Sequence, residues 1–207
     1  MSTNAFRILY AMSFFILAMA SCTNSELKVS SDKDQSTGTS SVENSASIVM
    51  ESSEAYETML KTDSLNTDIR LKLAAIYYTN KNYEKAIYHY LIVNSIDKNN
   101  LAALFNLGNI YYDTQRNKEA IQYYERFLKL DNNNSNVRCD LATCYMNLNN
   151  IDKAISLLRE NIKINFNHPQ SHYNLSVMLK QTGKVAEAEE ELKIFNSMAP
   201  GQSGQAN

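Results

Sequence analysis

Apolar and polar positions divide the chain into three stretches. Residues 8–18 run mostly apolar, as Ile-Leu-Tyr-Ala-Met-Ser-Phe-Phe-Ile-Leu-Ala, and residues 23–47 are polar except for Leu27, Val29, Gly38, Val42 and Ala46. From Ile48 onward the apolar positions fall at helical spacing. Leu73, Ala74 and Tyr77 share one face of a helix, and the set returns as Leu107, Gly108 and Tyr111, as Leu141, Ala142 and Tyr145, and as Leu175, Ser176 and Leu179. Ala86, Ala120, Ala154 and Ala188 follow, each with a large residue four places on: Tyr90, Tyr124, Leu158 and Leu192. Asn80-Lys81-Asn82, Gln115-Arg116-Asn117, Asn149-Asn150 and Gly183-Lys184 separate the two halves of each copy. Asn and Gly accept the left-handed backbone that ends a helix, and Asp152 is placed to cap the helix that follows. The pattern predicts paired helices whose small residues let the partners approach closely. With five Gly and two Pro in 207 residues, a turn-rich β protein is a poor fit.

Adding Arg70, Leu104, Arg138 and His172, which precede each apolar set, the motif recurs four times at a spacing of 34 residues. It resembles the tetratricopeptide repeat (TPR), whose unit has that length. The closing Pro of the family survives only as Pro200. The resemblance implies an all-α fold, a right-handed α-solenoid of about four helix-turn-helix repeats at 67–100, 101–134, 135–168 and 169–202. One helix pair cannot bury its own apolar face, so such arrays depend on stacking. The segment 48–66, with Val49, Tyr56, Met59 and Leu60, resembles the second helix of a missing earlier copy, and would cap the first repeat as an N-terminal half-repeat. At the far end Glu187, Glu189, Glu190 and Glu191 suit a solvated last helix, and 203–207 read as a frayed tail.

The N-terminus is an address. Arg7 and the α-amino group precede the apolar core, which is shorter than the roughly 20 residues that cross a bilayer and fits a secretory signal. Residues 1–21 read as the signal. The ending Met19-Ala20-Ser21-Cys22 resembles the lipobox of bacterial lipoproteins, with Met19 where that family usually has Leu. The resemblance makes Cys22 the lipidated first residue of the mature chain. Thr23 in place of Asp implies an outer-membrane address, facing the periplasm. Residues 22–47 then form a lipidated Cys and a polar tether too poor in apolar groups to fold alone.

Charge narrows the chemistry. Arg7 is the only charged side chain before Cys22, so the mature chain carries 19 basic against 22 acidic groups. No basic run exists to neutralise successive phosphates, which excludes nucleic acid as a natural partner. Cys139 and Cys144, five apart on one helix, stand too far apart for a bridge and read as packing thiols. His168 and His172 have a helical metal-binding spacing, but no Asp, Glu or Cys nearby in sequence completes a ligand set. Neither a nucleophile–base arrangement nor a phosphate loop is present. No catalytic residue, cofactor or metal is expected.

In TPR arrays the first helices line a concave partner-binding groove. By that resemblance the groove residues here are Leu71, Ala75 and Tyr78; Phe105, Asn106, Asn109 and Tyr112; Cys139, Asp140, Thr143 and Met146; and Tyr173, Asn174 and Val177. TPR domains that clamp a carboxylate place Lys or Arg where this chain has Leu71, Ala75, Asn136 and Asp140. The surface is apolar, aromatic and amide-bearing, and suits an amphipathic helix or extended apolar peptide. The expectation is an envelope adaptor serving outer-membrane assembly, a secretion or pilus machine, or a cell-wall complex. The alternatives are a thiol-based redox factor or enzyme using Cys139 and Cys144, and a self-associating structural lipoprotein.

Overall fold

The computed structural model describes residues 53–198, and within them every regular element is a helix. The signal, Cys22 and the tether lie outside the described residues, as do 48–52 and 199–207. Helix α1 covers residues 53–62. Four pairs follow: α2 (Thr67–Thr79) with α3 (Tyr83–Ile96), α4 (Leu101–Asp113) with α5 (Asn117–Leu130), α6 (Ser135–Asn147) with α7 (Ile151–Ile164), and α8 (Pro169–Gln181) with α9 (Val185–Met198). First helices begin at 67, 101, 135 and 169, second helices at 83, 117, 151 and 185. The period read from the side chains is thus the period of the backbone. Among the described residues no helix is long and apolar enough to cross a membrane.

Asparagine starts most of these helices. The side chains of Asn66, Asn82, Asn100, Asn134 and Asn150 accept from the backbone N–H of Ile69, Lys85, Ala103, Val137 and Lys153, satisfying donors that a helix start leaves open. Asp152 was expected to cap α7. Asn150 does so instead, and Asp152 sits inside the first turn, where its charge suits the helix dipole. The turn inside each pair places one residue in the left-handed region: Lys81 (φ 59°), Gln115 (φ 58°), Asn149 (φ 60°) and Gly183 (φ 77°). Two of the four are therefore neither Asn nor Gly. The geometry is held by backbone bonds from Asn82 to Tyr77, Arg116 to Tyr111, Asn150 to Tyr145 and Lys184 to Leu179.

The core is one continuous cluster running along the pairs. Leu73, Ala74, Leu107, Ala142, Ala86, Ala120, Ala154, Tyr90, Tyr124 and Leu158 are all buried. Gly108 is small for a specific reason: a Cβ there would stand 2.5 Å from Tyr124 Cδ1. Leu192 occupies the place of Tyr90, Tyr124 and Leu158 but is 40% exposed, because no further pair among the described residues covers it.

Helix α1 takes the place of a second helix. Tyr77 donates its hydroxyl to Glu57, and Tyr145 donates to Glu125 at 2.6 Å; Glu57 and Glu125 hold the same position two repeats apart. Leu60 is buried and Tyr56 packs against the cluster. Residues 63–66 form a turn ending in the cap Asn66.

The position before each apolar set also ties the pairs together. Arg70 Nε donates to Ser64 O at 2.9 Å, Arg138 donates to Asn132 O, and His172 Nε2 meets Phe166 O at 2.8 Å. Each reaches the carbonyl six residues earlier, fixing the loop that joins one pair to the next. Leu104, at the same place in the second pair, is fully buried and has no polar group to offer.

Candidate interaction groove

First helices touch first helices directly, α2 against α4 and α6 against α8. They therefore sit on the inside of the curve, with the second helices outside. Of the residues expected to line that inner wall, Leu71, Tyr78, Phe105, Asn106, Tyr112, Met146, Tyr173 and Val177 are half-buried and Ala75 is exposed. These remain accessible.

Asn109, Cys139, Asp140, Thr143 and Asn174 do not, since all are buried. For Cys139, Thr143 and Asn174 the cause is the close approach of α6 and α8. Asn174 Nδ2 lies 3.2 Å from Cys139 Sγ and 3.4 Å from Thr143 Oγ1, and Thr143 donates to Cys139 O at 3.1 Å. Asn109 Oδ1 accepts from Tyr124 OH at 2.8 Å. Their amides and hydroxyls hold the wall together, and the accessible groove is concentrated over α2 and α4.

The aromatic groups on this wall are braced from behind. Phe105 packs on Phe127 with ring centroids 6.0 Å apart, and Tyr173 on Phe195 at 5.2 Å. Tyr78 donates to Asp113 Oδ2 at 2.6 Å, linking the first two pairs. Burial, then the neighbouring Asp113 carboxylate, pushes the Tyr78 phenol well up, so it stays a neutral donor. Tyr111, adjacent to Tyr112, turns outward onto Tyr123 at 5.4 Å, with the Arg116 guanidinium 4.5 Å over its ring. Neighbours in sequence thus serve opposite sides of α4. Aromatic rings fixed this way lose little freedom on binding.

A polar chain at the junction of the last two pairs escaped the sequence reading. Asn161 Nδ2 donates to Ser135 O at 2.8 Å and to Ser171 Oγ at 2.7 Å. Ser171 meets His168 Nδ1 at 2.8 Å, and His168 Nε2 meets Asn136 Oδ1 at 2.9 Å. The signal was available: Asn161 stands where the earlier second helices carry Val93 and Phe127.

Thiol and metal chemistry find little footing. Cys139 and Cys144 are fully buried, and burial, aided by Asp140, pushes the Cys144 thiol well up, away from the reactive thiolate. The ring nitrogens of His168 and His172 all meet protein partners.

Helix pairs of this length, period and packing define an all-α solenoid of the tetratricopeptide-repeat type. A family model described as anaphase-promoting complex, cyclosome, subunit 3 matches residues 113–194. Among solved structures, a crystal structure of MamA is similar with a TM-score of 0.70 and 20% identity, over 79% of this chain and 96% of that one. MamA residues 41 to the end from Desulfovibrio magneticus RS-1 gives 0.70 at 13% identity, over 75% and 88%. At such identities the likeness is one of fold. No curated protein matches significantly by sequence.

Proposed function

We propose that this chain is a lipid-anchored interaction scaffold of the bacterial cell envelope. Cys22 holds it to the membrane, with an outer-membrane address facing the periplasm, and the inner wall of the solenoid binds a segment of another envelope protein. The observation that carries the binding role is the inner wall over α2 and α4, where the apolar and aromatic side chains Leu71, Tyr78, Phe105 and Tyr112 are only half-buried. Its apolar and aromatic character, with Asn106 as an amide, favours a peptide or helix presenting apolar side chains. The process served is outer-membrane assembly, secretion or pilus biogenesis, or cell-wall construction. No catalytic step is assigned.

Anchoring is tested by intact mass of the mature protein purified from membranes. The expected mass is that of a chain beginning at acylated Cys22, and Cys22→Ala should shift the protein out of the membrane fraction. A soluble product with an unmodified Cys22 would remove the anchor from this proposal while leaving the groove to be tested separately.

A further inference from the structure

Two histidines, His89 and His168, sit buried or half-buried at joints of the solenoid, and their partners dictate how they hold their protons. Arg70 only donates hydrogen bonds, so at 3.2 Å from Arg70 Nη1 the Nδ1 of His89 must accept. That requires a neutral ring. His89 belongs to α3 and Arg70 to α2, and Arg70 in turn secures the loop to α1 through Ser64 O. The other groups facing His89 are Glu57 from α1, Tyr77 from α2, whose ring stacks at 5.7 Å, and Lys85 and Tyr88 from its own helix, the Tyr88 ring edge-on at 5.1 Å.

At the opposite end of the array, His168 links α6 to α8. Its Nε2 donates to Asn136 Oδ1, an acceptor, and its Nδ1 accepts from the Ser171 hydroxyl, which itself takes a bond from Asn161. Around a neutral imidazole every donor in this chain meets an acceptor, whereas a second ring proton would make the Ser171 hydroxyl accept from both sides. The charged or titratable neighbour acting on it is His172, which lies between Phe166 O and the Glu191 carboxylate.

We propose that the array is an acid-responsive device in which protonation of His89 and of His168 loosens the first and last joints of the solenoid. A second proton on His89 turns Nδ1 into a donor aimed at a guanidinium. On His168 it turns Nδ1 into a donor, so the Ser171 hydroxyl accepts from both the ring and Asn161 and its own proton loses its acceptor. Either event frees the loop that positions a first helix, and so changes the spacing of the groove wall.

The direction is fixed by the environment. His89 is held below its ordinary 6.5 by burial and then by Arg70, and His168 by burial and then by His172. A group whose value is lowered on folding contributes stability above its unfolded value. That contribution fades as pH falls below about 6.5 and is gone once the folded value is passed. Both joints are therefore closed at neutral pH and weakened under acid.

Proton NMR titration of the histidine rings in the folded chain tests the premise, with both His89 and His168 expected to titrate below 6.5. Thermal unfolding between pH 7.5 and 5 tests the consequence. The native chain should lose roughly 2–4 °C of Tm for each joint weakened, and the double variant His89→Gln, His168→Gln should lose correspondingly less. Glutamine can accept from Arg70 without titrating. Ring midpoints at or above 6.5, or an undiminished acid loss in a folded double variant, would overturn the proposal. If the double variant does not fold, the ring titrations of the native chain decide alone.

Discussion

Tyr111 and Tyr112 show what one position along a helix decides. Tyr111 is 6% exposed, stacked on Tyr123 and with Arg116 over its ring, while Tyr112 is half-buried at the groove. Tyr111→Ala should cost roughly 3–5 kcal/mol, as aromatic truncations in cores do. Tyr112→Ala should cost about 1 kcal/mol in stability and about 2 kcal/mol in partner binding, as aromatic anchors do. Chemical denaturation of both variants, with binding of Tyr112→Ala to a partner segment, checks the division. Equal destabilisation would place Tyr112 in the core and remove it from the groove. This division was legible because Tyr111 falls on the repeating apolar stripe and Tyr112 beside it. The burial of Asn109, Cys139, Thr143 and Asn174 was not. Their spacing marks the inner wall, but the helix-to-helix distance that closes over them arises from contacts 31 and 35 residues apart.

At the scale of the element, repeat boundaries were readable almost to the residue, since caps and apolar sets recur together. Which residue adopts the left-handed turn was less so. Lys81 and Gln115 take it because three backbone-bonded neighbours over-determine the turn, outweighing the preference for Asn or Gly. Helix α1 is the element whose role can be measured most directly. Removing residues 48–62 exposes the face covered by Leu60 and Tyr56 and leaves Tyr77 without Glu57. A loss of about 2–4 kcal/mol is expected from the apolar burial alone, read as a lower denaturation midpoint. Removing 23–47 should leave the midpoint nearly unchanged, because so polar a segment has little apolar surface to bury. Equal losses from the two deletions would mean that the cap extends upstream of residue 48.

For the whole molecule, the question is what stops the stack. Each second helix carries a stripe that the following pair covers: Ile87 and Tyr90 in α3, Ile121 and Tyr124 in α5, Ile155 and Leu158 in α7. In α9 the stripe reads Val185, Glu189, Leu192 and Asn196, with Val185 50% and Leu192 40% exposed. Glu189 thus replaces an isoleucine at the point where another pair would dock. A carboxylate buried against an apolar surface would have to leave water or take up a proton, so Glu189 is expected to disfavour the docking of a further pair on this face. This places a limit on growth that the acidic run at 187–191 shows only in outline, because Glu191 instead faces His172 at 2.6 Å. Glu189→Ile should restore an internal-type stripe and make the exposed end adhesive, as apolar end surfaces on stacked-repeat proteins are. Sedimentation over a range of concentrations should then show mass rising with concentration for Glu189→Ile. Glu190→Ile, which adds the same side chain off the stripe, should behave as the native chain does. Association of both variants alike would reduce the effect to general stickiness, and association of neither would mean that Glu189 is not what terminates the stack.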